Sequence, residues 1–324
     1  MARDNRIDTL KGLLIILVVI GHVILSLDNA NMINHAVMGL IYVFHMPLFI
    51  LISGYLTKNP EEQTPSKMWR GVLNIFITLA IFQLLSAILV TLYGGSFVKA
   101  MKAFPFGALW YILSLIYWRI MLYYTPRWLL KRPLLYLGIA VLLSVLCGLT
   151  HLGKLLSLQR TLNFYVFFLL GYYYRQGPLD LRWWHNNLLH GAITLVLLPI
   201  IFWLYPHCGN VMNGADHYSV AGLPQKVIVL TCSISTSLLV FNLVKDFKWL
   251  RPIGRDSLLY YLYHIFLIIF VLTPLVKLYG WPTSFPFVLI YTAVIMVVLL
   301  VMSKIPLFKW LMHPTFKRPT QGKA

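Results

Sequence analysis

Apolar runs of about twenty residues recur along the whole chain, separated by short polar segments, and this recurrence restricts the folds open to it. A helix needs about 20 predominantly apolar residues to cross the hydrocarbon core of a bilayer. Unpaired backbone N–H and C=O groups are not tolerated there, so such runs are helices rather than coil or open sheet. Composition agrees: of 324 residues, 59% are hydrophobic and 11% charged, with a mean hydropathy of +0.76. Soluble domains carry about 25% charged residues, so this chain cannot clothe itself against water. The expected fold is all-α: a polytopic membrane helical bundle, one domain over residues 1–324. The runs place ten helices near 10–27, 35–56, 71–93, 105–124, 133–150, 161–175, 188–205, 226–244, 256–276 and 284–305, with Pro47 expected to kink the second. The longest connection, about 206–225, is too short to be a soluble domain.

A net charge of +18 would suggest a nucleic-acid partner in a soluble protein. In a membrane protein basic residues mark the loops retained in the cytoplasm, and no nucleic acid is expected. Placing the N-terminus inside puts twenty of the 27 Lys and Arg on the inner side, among them Arg3, Arg6, Lys317, Arg318 and Lys323. Six fall on the outer side: Lys99, Lys102, Lys154, Arg160, Lys226 and Lys277. Both termini are therefore expected in the cytoplasm. The first apolar run leads directly into further spans and lacks a small-residue cleavage site, so no signal peptide is expected. Cys147, Cys208 and Cys232 have no ligand spacing and form no even framework.

Ionisable groups within spans are costly and are functional candidates by default. The first helix carries His22 in an otherwise apolar stretch, with Lys11 eleven residues earlier. That spacing leaves the two side chains only about 20° apart around the helix and about 16 Å apart along it. A cation at the rim and an imidazole deeper on the same face suit a long anionic ligand entering from the cytoplasm. Equally, Lys11 could anchor topology and His22 be a satisfied polar group. Asp8, one turn before Lys11, can orient it or simply pair with it. His45 and His264 are further imidazoles inside spans, and Ser53-Gly54 is a small pair of the kind that lets helices approach closely. His35, His151, His185, His207, His217 and His313 lie in loops or at span ends and read as structural. No His pair has metal-site spacing with a carboxylate companion, so no metal is expected. Arg119 is the one Arg placed well inside a span, and Lys67 and Arg70 flank the start of the third helix. Such a cluster suits a phosphate-rich ligand, although topology and snorkelling explain it as well.

Five segments together resemble the acyltransferase-3 family of integral membrane O-acyltransferases, with the nearest likeness to its fucose 4-O-acetylase-like branch. Arg6-Ile7-Asp8-Thr9-Leu10-Lys11-Gly12 through Gly21-His22 is similar to the family's first-helix motif of Arg or Lys, ten residues, then His. Phe44-His45-Met46-Pro47-Leu48-Phe49 to Ser53-Gly54-Tyr55 resembles its second-helix signature, and Leu109-Trp110-Tyr111 the start of its fourth helix. Arg160-Thr161-Leu162 to Phe167-Phe168-Leu169-Leu170-Gly171-Tyr172 resembles the sixth helix, and Ser257 to His264 the Ser-Tyr-x-x-Tyr-x-x-His element. The likeness runs in order from residue 6 to about 270. One departure is Lys67-x-x-Arg70 in place of an Arg-x-x-Arg pair, which exchanges a planar fork for a point charge.

The resemblance implies a multi-pass protein of the bacterial inner membrane that transfers an acyl group, usually acetyl, from acyl-CoA to a hydroxyl of a glycan or lipid-linked sugar. It implies an essential role for His22 and help from Lys11 in holding the donor. Lys67, Arg70, Arg119 and Lys11 are then expected to meet the donor's phosphates. His22 serves as general base on the acceptor or as an acyl relay. Trp110, Tyr111 and Arg160, with His45 and His264, are the expected acceptor contacts. A transporter or flippase for a lipid-linked glycan would also account for the spans and their polar groups. It leaves the Lys11–His22 spacing unexplained, and no internal repeat of the transporter kind is visible. A purely structural membrane protein would not need so many intramembrane imidazoles.

Overall fold

A computed structural model describes residues 4–27, 31–176 and 182–312, giving only the backbone course for 182 and 204–213. Arg3, His313, Lys317, Arg318 and Lys323, and the side chains of Arg182, His207 and Cys208, lie outside the described residues. Each of the ten expected runs is a helix, and no strand occurs among the described residues. We label them α1 (Asn5–Ser26), α2 (Met32–Tyr55), α3 (Pro65–Leu92), α4 (Trp110–Tyr124), α5 (Pro133–Leu146), α6 (Leu158–Gln176), α7 (Asn187–Asn213), α8 (Leu223–Leu243), α9 (Ser257–Tyr279) and α10 (Phe285–Met302). Seven segments among the described residues are long and apolar enough to cross a membrane, and they comprise α1, α2, α3, α4 with the short helix before it, α8 with its preceding turn, α9 and α10.

Local chemistry sets the helix starts. The Asp4 and Asn31 side chains accept from the backbone N–H groups of Arg6 and Ile33, each at 2.9 Å, capping α1 and α2. Proline occupies the first turn of α3, α5, α8 and α10, where its missing N–H has no intrahelical partner to lose. One boundary differs from expectation. The 206–225 connection was expected to be loop, but α7 runs through Pro206 to Asn213 and ends at Gly214 in the left-handed region (φ 66°). Neighbouring helices can resupply the bonds a proline removes, so a membrane helix tolerates it. Pro47 likewise lies within an unbroken α2.

The middle of the bundle is made by α1, α2 and α6, with α9 packed against α1. α6 is the least hydrophobic of the ten, carrying Gln159, Arg160, Asn163 and Arg175, yet nearly every residue from Thr161 to Tyr173 is buried. Protein rather than lipid surrounds it, so its polarity is tolerated. The lipid-facing positions are elsewhere. Leu73, Phe76, Leu84 and Ile88 on α3 and Leu289, Ile290, Val294, Val297 and Val301 on α10 are exposed large apolar side chains. Continuous apolar faces of this kind do not persist in water, and the chain is a multi-pass membrane protein.

Close contacts between backbones lock the centre. A Cβ on Gly54 of α2 would lie 1.9 Å from the Phe168 carbonyl oxygen of α6, and one on Gly171 would lie 1.8 Å from that of Leu51. Ser53-Gly54 is thus a close-approach element on its glycine side. At the start of α1, Gly12 and Gly254 bring α1 against the short helix Arg251–Arg255; a Cβ on Gly254 would lie 1.7 Å from the Asp8 carbonyl oxygen. The Asp8 carboxylate, 4% exposed, lies between Lys11 at 3.0 Å and Arg255 at 3.6 Å.

Two stability outcomes follow. Gly171→Val should cost about 1–3 kcal/mol through overpacking of α2 against α6, whereas Gly138→Ala, which meets nothing within 4 Å, should be neutral. Removing the buried partner of two cations should also cost stability, so Asp8→Asn should melt well below wild type. Lys67→Ala should melt with it, because Lys67 is exposed. Thermal melting of the detergent-purified protein, read by the size-exclusion peak, checks both.

Candidate functional site

Where α1 approaches its end, the bundle opens into a cavity of about 650 Å³. α1 contributes His22, Leu25 and Ser26; α2 contributes Met38, Tyr42, His45 and Met46; Trp110 of α4 is preceded by Gly107 and Ala108. α6 adds Arg160 and Phe164, α9 adds Tyr261, Ile265 and Ile269, and the rim carries Lys154 and Asp216. The volume is of the size that takes a small organic ligand.

Helical geometry places the imidazoles. In His22, His45 and His264 alike, Nδ1 reaches the carbonyl one turn earlier on its own helix: His22 to Val18 at 3.0 Å, His45 to Ile41 at 2.7 Å, and His264 to Tyr260 at 3.0 Å. A second contact joins two of them across helices. Nε2 of His264 lies 3.1 Å from Nδ1 of His22, with ring centroids 4.9 Å apart. His264 is fully buried, whereas His22 keeps a surface toward the cavity. Just beyond His264, α9 passes through a π-helical stretch, Ile268–Leu272, and the Tyr93 hydroxyl donates to the Phe270 carbonyl there. A π-turn offsets the residues that follow it on the helix, and Ile269 within this one faces the cavity.

The expected site residues divide into three groups. His22, His45, Trp110 and Arg160 meet around the cavity, and His264 joins them through His22. The Arg160 guanidinium lies over the Trp110 ring at 5.0 Å, and the same ring stacks on Phe164 at 5.5 Å. Trp110 therefore orients Arg160 and has less free face than a bare stacking platform. Tyr111 is buried behind the wall, its hydroxyl 2.6 Å from that of Ser53 and its ring edge-on to Phe49 and Tyr261. The third group lies toward the end where α1 begins. Lys11 is ion-paired with Asp8, and Lys67 and Arg70 are exposed on the first turns of α3. Arg119 of α4 faces Gly71 of α3, its Nη1 3.7 Å from where a Cβ would stand, and its Nε is buried without a hydrogen-bond partner. None of these lines the cavity.

Sequence reading passed over Tyr42 and Tyr261, both in the cavity wall. It counted Lys226 only as an outer-side charge. Lys226 is 4% exposed, and its ammonium donates to the Asn163 side-chain oxygen, which also accepts from the Ser144 hydroxyl at 3.1 Å. The available signal was a polar residue near the start of the sixth run, Asn163, paired with a lysine at the start of the eighth.

A 65-residue stretch of the chain is 45% identical to Nodulation protein NolL of Sinorhizobium fredii; it covers 19% of this chain and 18% of that protein. The chain thus spans about a fifth of the length of this curated relative. No solved structure matches the chain. The acyltransferase-domain family model matches residues 4–304, which contain every helix that builds the cavity. The chain belongs to the acyltransferase-3 family.

Proposed function

We propose that the protein transfers an acyl group, acetyl in the first instance, from acyl-CoA to a hydroxyl of a glycan or lipid-linked sugar. It would act in the inner membrane of a bacterium with both termini in the cytoplasm. The observation that carries the reading is His22 itself: an imidazole inside the bundle, facing a cavity large enough for a sugar, in a chain of an acyltransferase family. The acceptor enters this cavity from the end where α1 terminates. Arg160, held on Trp110, and His45 offer it polar contacts. The positive-inside asymmetry supports the orientation, with the cavity mouth away from the cytoplasm.

The donor arrives from the other side. Arg119 supports this, since a buried guanidinium nitrogen without a partner suits an anion. Nine residues separate Arg119 from Trp110 on α4, about 14 Å along the axis, so a donor whose phosphates meet Arg119, Arg70 and Lys67 can extend its thioester toward His22. Lys11 is a weaker phosphate contact on this geometry, because Asp8 already neutralises it at 3.0 Å. At His22 the thioester carbonyl and the acceptor hydroxyl meet. The ring removes the hydroxyl proton or carries the acyl group between them. The relative NolL, by its name, belongs to nodulation.

Purified protein in nanodiscs, given acetyl-CoA and extracted lipid-linked glycans, should release CoA thiol, and the glycans should gain the mass of one acetyl group. Because a general base contributes about 10²- to 10⁴-fold, His22→Ala should lose nearly all thiol release while eluting as wild type. Wild-type turnover in that variant would refute the role of His22. Arg119→Ala should raise KM for acetyl-CoA about tenfold or more, as loss of a charged hydrogen bond does, with kcat little changed. An unchanged KM would remove Arg119 from the donor site.

A further inference from the structure

We infer that His264 is a positioning residue for His22: it accepts the Nδ1 proton of His22 and so fixes Nε2 of His22 as the reactive nitrogen. Its catalytic meaning rests on the acyl-transfer reading above, whereas the proton assignment rests on three hydrogen bonds alone. A backbone carbonyl only accepts. The 3.0 Å contact from Nδ1 of His264 to the Tyr260 carbonyl therefore requires a proton on that nitrogen, and in the neutral ring Nε2 of His264 is left as an acceptor. The 3.0 Å contact from Nδ1 of His22 to the Val18 carbonyl requires a proton there too. These two requirements agree with the 3.1 Å contact between the rings, in which Nδ1–H of His22 donates to Nε2 of His264. The reverse assignment puts the Nδ1 lone pair of His22 against the lone pairs of the Val18 carbonyl and makes His264 a cation with no carboxylate within ion-pair distance among the described residues. One arrangement meets every contact, with the single Nδ1–H of His22 shared between the Val18 carbonyl and Nε2 of His264.

It follows that Nε2 of His22 holds the free lone pair, on a ring that lines the cavity. On the general-base route the acceptor O–H gives its proton to this nitrogen while its oxygen attacks the thioester carbonyl. The new C–O bond forms, the C–S bond breaks, and the proton passes to the departing CoA thiolate. While the ring is an imidazolium, its Nδ1–H makes a charge-assisted bond to His264. The acyl-relay route starts from the same lone pair. A Ser-His-Asp triad orients its imidazole with a carboxylate. Here a second, neutral imidazole on α9 does so, 242 residues away in the chain.

Two measurements test this on the full-length protein in nanodiscs. Histidine-selective 15N NMR of wild type should show His22, identified by its loss in His22→Ala, protonated at Nδ1 and bare at Nε2. In acetyl-CoA turnover, His264→Leu should lower kcat about 10- to 100-fold, the range expected for a hydrogen bond to a charged group, without raising KM for the donor. His264→Gln, whose side-chain oxygen can stand where Nε2 stood, should recover at least about tenfold of that loss. A proton on Nε2 of His22, or a kcat in His264→Leu within twofold of wild type, would overturn the inference. Should His264→Leu fail to elute as a single peak, the wild-type spectrum and His264→Gln decide. If wild type released no CoA, the acyl-transfer reading would fall, yet the spectrum would still accept or reject the proton assignment.

Discussion

An imidazole deep in a spanning helix is stabilised by placing its N–H on an acceptor within the protein, because the bilayer offers none. This requirement organises the site. His22, His45 and His264 meet it in the same way, by turning Nδ1 back to the carbonyl four residues earlier. The helix supplies one partner for each ring, and His22 gains a second from the ring of His264. The consequence for chemistry is direct. With Nδ1 committed to the backbone, Nε2 is the nitrogen presented away from the parent helix, and the placement of α1, α2 and α9 decides what it meets. For His264 it meets His22.

The same requirement explains why the most polar helix sits in the middle. Lipid tails are as apolar as leucine, so hydrophobicity does not select which helices are central; close packing and internal hydrogen bonds do. α6 has both. Gly171 and Gly54 allow it to approach α2 at backbone distance, and Thr161 takes Ser114 at 2.9 Å and gives its carbonyl to the Trp118 indole at 2.8 Å. Asn163 accepts from Lys226 and Ser144. Arg160, at the open end of the same helix, reaches the cavity. α3 and α10, with few such features, remain at the periphery facing lipid.

Much of the fold was legible because one property, the length of an apolar run, suffices to place a membrane helix, and every expected run is a helix. The expected loop after 205 failed because the apolar run ends there while the helix does not: α7 continues through Pro206 to Asn213, and membrane helices tolerate such a proline. The site was legible in part. Spacing put Lys11 and His22 on one face of α1, and it could not tell what occupies that face. Asp8 holds Lys11, Gly254 brings a short helix against the backbone beside them, and the cavity belongs to the other end. Periodicity marks His264 as a polar group in a span but carries no information on a partner 242 residues away. Lys226 entered only the outer-side charge count, because Asn163, which accepts its hydrogen bond, becomes its neighbour only through packing.

The two ends of the bundle differ in a way that bears on mechanism. A transporter has to let one cargo pass the whole thickness, so its polar groups would be expected to line a continuous route. Here the cavity gathers His22, His45 and Arg160 toward one end, while Arg119, Lys67 and Arg70 gather on α3 and α4 toward the other. An acyltransferase drawing on substrates from opposite sides requires only that their reacting atoms meet. On the proposed reading, the nucleotide of the donor never enters the acceptor cavity and the acceptor never reaches the cytoplasm; only a thioester arm and a hydroxyl come together. The group at that meeting point must be small, uncharged at rest and able to hold a proton briefly. A neutral imidazole whose N–H is already bound to a carbonyl and to a second imidazole meets all three conditions.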